Sequence, residues 1–296
     1  PLAGGGLAAS LVLLGFLLGL GIKTPLVPVH TWLPQAHVDA PGPGSAILAG
    51  VLLKMGTYGM VRVPYAMMSE TFAQYAWVLA VLAVISIVYG ALVALGQRDL
   101  KRRIAYTSIN HMGYTVLGIA AAGALAGNEA ARTLALTGAT VEMVAHGLIT
   151  GALFLIAGSF WARGEEYDLD QYGGLARRAP LLTGLTGLAA FASLGLPGLA
   201  GFVAELQIFA GTFAAWPWLA AIALLGILIT AALFLQMLQK LFFGELPSRW
   251  AAFPDLGRVE WGVLGVLLAA VVVIGVYPAF LLSLIEASAA MLTGAY

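Results

Sequence analysis

The sequence contains no cysteine among its 296 residues. This absence excludes cysteine-ligated iron–sulfur clusters and thiol chemistry within the chain. Charge is also scarce, because only 9% of the residues are charged, whereas soluble domains carry roughly 25%. Hydrophobic residues make up 61%, and the mean hydropathy is +0.94. This composition is that of a polytopic membrane protein, and the net charge of zero leaves no basic surface for a nucleic-acid partner.

Sequence motifs for cofactors are missing as well. The glycine-rich stretches have neither the spacing nor the strand–turn–helix context of a phosphate loop, and we find no haem or flavin signature. The spacing of His30, His37 and Asp39 does not give the usual geometry of metal ligands, so we interpret them as structural residues of a loop or helix end. We therefore predict no metal and no cofactor in this chain. Because it begins with Pro1 inside an apolar region, we expect an N-terminal part to precede it.

Apolar runs of about 20 residues, the length that crosses roughly 30 Å of hydrocarbon, occur eight times along the chain. The sequence thus predicts an all-α fold with eight transmembrane helices, A to H. We place them at residues 2–22 with a continuation to 38 (A), 44–63 (B), 75–95 (C), 103–124 (D), 132–161 (E), 180–213 (F), 218–243 (G) and 259–284 (H).

Two of the predicted helices contain a break. In helix A, Lys23 ends the apolar run, and Pro25 and Pro28 follow it, which removes backbone donors and stops the helix. In helix F, residues 195–201 read GLPGLAG. Because helices A and F are five helices apart, they cross the membrane in opposite directions. This pattern is typical of an inverted-topology repeat, in which discontinuous helices mark ion sites near the midplane.

Basic residues concentrate in alternate connections between the predicted helices. The C–D, E–F and G–H links carry ten of them, whereas the opposite side carries two. By the positive-inside rule, we assign the basic side to the cytoplasm, so that both ends of this segment face outward. The ten are Arg98, Lys101, Arg102, Arg103, Arg163, Arg177, Arg178, Lys240, Arg249 and Arg258, and the two on the opposite side are Arg62 and Arg132.

Ionisable residues also occur at membrane depth, where a charge costs ~3 kcal/mol on insertion scales and indicates a functional role. Lys54 lies ~15 Å from either end of helix B. The alternative is a lysine whose side chain extends to the membrane interface. That distance is too long for the Lys54 side chain to span easily. Glu142 and His146 are four residues apart, and hence share one face of helix E. The six candidates for proton transfer are Lys23, Lys54, His111, Glu142, His146 and Glu205.

At both breaks, the free backbone groups at the end of the half-helix favour the charge of the ionisable residue beside them. Lys23 follows the C-terminal end of a half-helix, where free carbonyl groups favour a cation. We place Glu205 in the first turn of the half-helix that starts near Gly201, where free N–H groups favour an anion. His111 lies only two turns into helix D, and for it a purely structural role is nearly as well supported as a relay role.

At these positions the sequence resembles a known family. The segments that carry the likeness read IKTPLVPVHTWLPQAHVDAP, GSAILAGVLLKMGTYGMVR, DLKRRIAYTSINHMGY, VAHGL and LGLPGLAGFVAEL. They are similar to the antiporter-like membrane subunits of respiratory complex I, and most closely to the M-type subunit of bacterial NADH:quinone oxidoreductase, a family shared with Mrp antiporters. The resemblance implies a fourteen-helix subunit of which this chain holds roughly the last eight helices. It assigns residues 1–66 to the end of the first inverted repeat, 72–243 to the second five-helix repeat, and 259–296 to a C-terminal transmembrane helix.

The resemblance also implies roles for single residues. Lys23 is similar to the central lysine of the first broken helix, and Lys54 to the connecting lysine of the next helix. His111 and His146 resemble relay histidines, and Glu205 resembles the carboxylate of the second broken helix.

Three departures from the family pattern stand out. The glutamate that partners the central lysine in the family is absent from this chain. Pro43 stands where the family usually has a small residue, and Glu142 stands where a neutral residue is commoner. An ionisable carboxyl group at position 142 would make proton transfer in the central part of the relay differ from that of the usual family pattern.

We therefore interpret the chain as a proton-translocating subunit of a NADH:quinone oxidoreductase in the bacterial inner membrane. The resemblance implies NADH, FMN, iron–sulfur clusters and quinone in partner subunits, and lipid as the surroundings. The alternatives are a subunit of a Mrp-type sodium/proton antiporter or of a membrane-bound hydrogenase. A purely structural subunit is the remaining alternative, and it predicts no ionisable residues at membrane depth.

Overall fold

The computed structural model describes residues 6–294, and these fold into helices joined by short connections. Within this range there is no β-strand, and one isolated β-bridge pairs Asp99 with Asp168. The α-helices are α1 Leu7–Lys23, α2 Trp32–Asp39, α3 Gly42–Ile47, α4 Leu53–Met60, α5 Ser69–Gly96, α6 Leu100–Ala122, α7 Glu129–Gly164, α8 Pro180–Ser193, α9 Ala200–Ala215, α10 Pro217–Phe242, α11 Arg258–Val276 and α12 Ala279–Thr293.

Two π-helical stretches extend this set. Leu48–Leu52 joins α3 to α4, and Val61–Tyr65 continues α4, so that Gly42–Tyr65 is one continuous helix. Short 3₁₀ turns occupy Leu169–Gln171, Leu175–Arg177 and Ser248–Trp250. The predicted all-α membrane fold is confirmed.

Five helices are long and apolar enough to cross a membrane: Gly42–Tyr65, Ser69–Gly96, Glu129–Gly164, Pro217–Phe242 and Arg258–Val276. They correspond to the predicted helices B, C, E, G and H. Predicted helices A and F are instead pairs of shorter helices, α1 with α2 and α8 with α9. The predicted start of helix A at residue 2 lies outside the described residues.

Predicted helix D is α6, which is 23 residues long. Almost every side chain of α6 is buried, including the polar residues Thr107, Asn110 and His111. Because other helices surround it, α6 needs no continuous apolar face toward lipid. This central position brings His111 to the middle of the bundle.

Both predicted breaks are confirmed. α1 ends at Lys23 and α2 begins at Trp32, whose indole Nε1 donates a hydrogen bond of 2.9 Å to the Ile22 carbonyl oxygen. In the connection, the Val27 N–H donates to Ser86 Oγ at 3.0 Å. Side chains thus satisfy backbone groups that the break frees, as a low-dielectric surrounding requires.

The second break depends on glycine. α8 ends at Ser193 and α9 begins at Ala200. Between them, Gly195 has φ +74° and Gly198 has φ +91°, a conformation that residues with a Cβ atom rarely adopt. The sequence GLPGLAG is therefore necessary for the shape of this break.

The last predicted helix, H, differs from the structure. It was expected as one helix over residues 259–284, but α11 ends at Val276 and a separate helix, α12, begins at Ala279. Pro278 lies between them and cannot supply the N–H that would continue α11. α12 runs on to Thr293, whose hydroxyl lies 2.6 Å from that of Thr133 at the start of α7.

Two basic residues of the C–D link are buried rather than solvated. Lys101 donates hydrogen bonds to the carbonyl oxygens of Val38 and Ala40 at the end of α2. Arg103 donates to the Gln97 carbonyl at 2.6 Å, where α5 ends. A cation stabilises the negative end of a helix dipole, and these two residues fix the C-terminal ends of α2 and α5 at one end of the bundle.

Candidate functional site

The site begins at Lys54 on α4. Its ammonium group is 2.6 Å from His146 Nδ1 of α7 and also donates to the carbonyl oxygen of Ala49. Ala49 belongs to the π-helical turn Leu48–Leu52, in which the helix is wider than an α-helix. Both Lys54 and His146 are buried, so that the amine and the imidazole form an enclosed acid–base pair.

Glycines bring the two helices of this pair together. A Cβ atom on Gly147 would lie 2.8 Å from the Gly50 carbonyl oxygen, and one on Gly50 would lie 3.2 Å from that of Gly147. The backbones therefore touch one residue away from His146. This close approach is what allows the Lys54 side chain to reach the imidazole.

Gly147→Ala is expected to weaken translocation by separating Lys54 from His146. The added methyl group forces the helices apart at a cost of roughly 1–3 kcal/mol. The matched control is Gly151→Ala one turn later, where a Cβ atom meets nothing within 4 Å. Thermal stability and proton pumping of the assembled complex measure the effect, and equal behaviour of the two variants would contradict it.

His111 on α6 is the next group of the site. Its Nδ1 is 3.1 Å from Glu142 Oε1, and its Nε2 is 3.1 Å from Ser193 Oγ. The centroids of the His111 and His146 rings are 5.1 Å apart. His111 is thus in hydrogen-bond contact with two other helices, and it lies beside the Lys54–His146 pair.

Glu205 on α9 completes the site. Its Oε1 is 4.0 Å from His111 Nδ1. A Cβ atom on Gly195 would lie 2.2 Å from Glu205 Oε2, so the carboxyl group occupies space that only glycine leaves at the break. The expected position in the first turn was wrong: α9 begins at Ala200, its first turn holds no acidic residue, and Glu205 lies in the second turn.

Five of the six candidate residues therefore form one contiguous buried cluster. Lys23 is the exception: it is half-buried, and within residues 6–294 its side chain makes no hydrogen bond or salt bridge. It does end α1, as expected. The break after it packs on the helix that carries Lys54, because a Cβ atom on Gly56 would lie 2.3 Å from Thr24 Oγ1.

Sequence reasoning missed some polar residues near the cluster. Ser193, the last residue of α8, contacts His111. Asn110 Nδ2 lies 3.4 Å from the Tyr114 hydroxyl, and Asn110 Oδ1 accepts from Thr230 Oγ1 at 3.5 Å. The spacing of Asn110 and Tyr114, four residues apart on one helix, was an available signal. Ser193 gave none, because its partner is far away in sequence.

The cluster alternates groups that carry or accept protons. An amine, two imidazoles and two carboxyl groups follow one another from α4 through α7 and α6 to α9. Each group can bind a proton and release it. No set of three or more His, Asp or Glu side chains suited to a metal ion occurs in the part of the chain that is described.

Comparison with known proteins places this geometry in a family. The family described as NADH:quinone oxidoreductase/Mrp antiporter, TM, matches residues 3–230. The chain belongs to this family. A similar relative is NAD(P)H-quinone oxidoreductase chain 4 1 of Synechococcus sp. (strain JA-3-3Ab), with 43% identity over 275 residues, which is 89% of this chain and 50% of the relative. This chain thus spans about half the length of the curated relatives it matches.

Solved structures of complexes share the fold. A chain of respiratory complex I from Thermus thermophilus with bound NADH has a TM-score of 0.88 at 36% identity, over 98% of this chain and 60% of that chain. A chain of the Mrp complex from Dietzia sp. DQ12-45-1b also has a TM-score of 0.88, at 24% identity over 98% of this chain and 61% of that one. The latter likeness shows the fold alone. The antiporter-like fold expected from the sequence motifs is confirmed.

Proposed function

We propose that the chain is part of a proton-translocating membrane subunit of a NADH:quinone oxidoreductase. One observation carries this proposal: Lys54, His146, His111, Glu142 and Glu205 form a contiguous buried series of acid–base groups. A scaffold needs no such series, and each buried charge costs free energy of folding. Electron transfer in partner subunits drives the protons, and those subunits hold NADH, FMN, iron–sulfur clusters and quinone.

Protons move along the series by short steps. The Lys54 ammonium group gives a proton to His146 Nδ1, with which it is already in contact. His146 then releases its Nε2 proton to water, and His111, whose ring centroid is 5.1 Å away, takes up a proton at Nε2, the nitrogen that lies 3.1 Å from the Ser193 hydroxyl. His111 then gives a proton from Nδ1 to a carboxylate, Glu142 at 3.1 Å or Glu205 at 4.0 Å. Glu205 lies at the second break and releases the proton toward the outer face.

Lys23 has a separate role in this proposal. It is the last residue of α1 and directly precedes the break, which packs on the helix that carries Lys54. It holds a proton that reaches Lys54 through water.

A Mrp-type antiporter subunit is the second candidate, since the same residues serve it without electron transfer. A subunit of a membrane-bound hydrogenase is the third. The higher identity to the complex I chain, 36% against 24% for the Mrp chain over the same share of this chain, favours the oxidoreductase. Purification of the complex under mild conditions tests this choice. Peripheral subunits with flavin and iron–sulfur absorbance are expected, and a pure membrane complex without either would favour the antiporter.

Orientation gives a further prediction. Cysteines introduced at Arg178 and Ala126 are expected to react with an impermeant thiol reagent only from the cytoplasmic and only from the outer side, respectively. Both positions are exposed and lie beyond opposite ends of α7. Lys101 is a poor reporter because it is buried. These 296 residues contain no cysteine, so this part of the subunit adds no background labelling, and reaction of both positions from one side would contradict the assigned topology.

A further inference from the structure

His37 on α2 is buried without a hydrogen-bonding partner. Its exposed fraction is 0%, and neither ring nitrogen contacts a polar partner within the described residues. The ring stacks on Phe154 of α7, with centroids 4.2 Å apart and an angle of 15° between the planes. Stacking on Phe154 accounts for an aromatic ring at position 37. It does not account for the two polar nitrogens of the imidazole. A neutral imidazole has one donor and one acceptor, and leaving these unpaired costs roughly 1–3 kcal/mol each.

The same face of α7 connects His37 to the candidate site. Phe154, Thr150 and His146 are spaced by four residues and lie on one side of this helix. All three are buried, and Thr150 supplies a hydroxyl group between the other two. His146 directs Nδ1 to Lys54, whereas its Nε2 has no partner in the described range. His146 and Phe154 are eight residues apart, which is about 12 Å of helix rise, and the His37 ring lies against the Phe154 end of this face.

A cleft lies at the C-terminal end of α2, and His37 itself is not among the residues that line it. It has a volume of about 570 Å³ and is lined by Val38 and Asp39, which directly follow His37, and by Lys101, Ser159 and Glu260. These polar groups and this volume suit several water molecules. The rim also holds the ion pair between Glu260 and Arg163, whose atoms are 2.6 Å apart. The cleft thus lies at the basic end of α7, the side assigned to the cytoplasm.

We propose that His37 is a proton-binding residue that connects this cleft to His146, a role that rests on the proposed translocation function. Water in the cleft gives a proton to one ring nitrogen, and the other nitrogen releases its proton to water beside Thr150. That water gives a proton to His146 Nε2 once His146 has passed its own Nε2 proton toward His111, and the Nδ1 proton of His146 then returns to the Lys54 amine. Only O–H and N–H bonds form and break, and rotation of the ring restores the starting tautomer. The charged groups around this path are Lys101, Asp39 and Glu260 on the cleft side and Lys54 on the other.

The test compares substitutions of His37 in the full-length subunit, assembled in its complex in membrane vesicles. His37→Phe keeps the stacking on Phe154 and removes both nitrogens, so proton pumping is expected to fall about tenfold or more. His37→Ala opens a space the size of the ring, and added imidazole is expected to restore pumping in that variant. His30→Phe is the matched control. His30 is also buried near the break, but it packs edge-to-face on Tyr89 of α5, away from α7, and its replacement is expected to leave pumping unchanged.

Each outcome decides the role of His37. Loss in His37→Phe, rescue of His37→Ala by imidazole and normal pumping in His30→Phe support it. Normal pumping in His37→Phe overturns it, and so does a loss that imidazole does not rescue or that His30→Phe shares. Lys54→Ala in the same vesicles separates the two proposals: if it is inactive while His37→Phe pumps normally, only the role of His37 fails, and if it also pumps normally, the proposed function fails.

Discussion

Lys54→Ala is expected to lower proton translocation on the order of 100-fold, the effect typical of removing a positioned acid–base group. The ammonium group is the only hydrogen-bonding partner of His146 Nδ1 within the described residues, so its removal interrupts the series at its first step. The subunit is expected to assemble, because the loss of a buried charge removes a desolvation cost. Proton pumping in vesicles, with intact complex verified on a native gel, measures the effect.

Lys54→Arg separates charge from proton transfer. Arginine keeps a positive charge beside His146 but does not release its proton in proteins, so we expect a loss as large as that of the alanine variant. Lys240→Met is the control, since Lys240 lies at the end of α10 and pairs with Asp170 outside the buried cluster. Full pumping by Lys54→Arg in assembled complex would show that Lys54 acts only as a fixed charge.

Much of the fold could be predicted from the sequence, because lipid imposes strong rules. Apolar runs had to be helices, since no other open structure satisfies its own backbone in hydrocarbon. The breaks after Lys23 and at Gly195 followed from proline and glycine, whose effects are local. Pro278 carried the same signal for the end of α11, but the apolar residues on either side of it outweighed that signal in the prediction of helix H.

The contacts of the site could be predicted only in part. The face shared by Glu142 and His146 followed from helix geometry, and the depth of Lys54 followed from its distance to the helix ends. The meeting of Lys54 with His146 depends on a π-helical turn and on the touching backbones of Gly50 and Gly147. Both are tertiary features, because they arise from how two distant helices pack.

Burial also changed the interpretation of residues outside the site. By sequence, His37 lies near the end of the continuation of helix A and Lys101 lies in the C–D link, so each has an ordinary explanation there as a helix-end residue or a topogenic charge. In the structure both are buried, Lys101 against the carbonyl groups that end α2 and His37 against Phe154. Which of these residues turn inward depends on how α2 packs on α6 and against Phe154 of α7, and no local sequence pattern records that packing.

Glu205→Gln is expected to stop translocation, with a loss on the order of 100-fold and little loss of stability. Glutamine keeps the shape that fits beside Gly195 and can still hydrogen-bond near His111, but it cannot ionise. Glu70→Gln is the control, since Glu70 is an exposed carboxylate at the start of α5, and it is expected to pump normally.

A lysine at position 205 gives the sharper test of what Glu205 does. In Glu205→Lys, an amine would face His111 and the Glu142 carboxylate, with which it can pair. We expect partial pumping, because the amine still binds and releases protons. Pumping in vesicles, with assembly checked on a native gel, therefore ranks the variants: natural sequence first, lysine second, glutamine last. Normal pumping by Glu205→Gln would mean that Glu205 only fills the space beside Gly195 and that protons leave His111 by way of Glu142 instead.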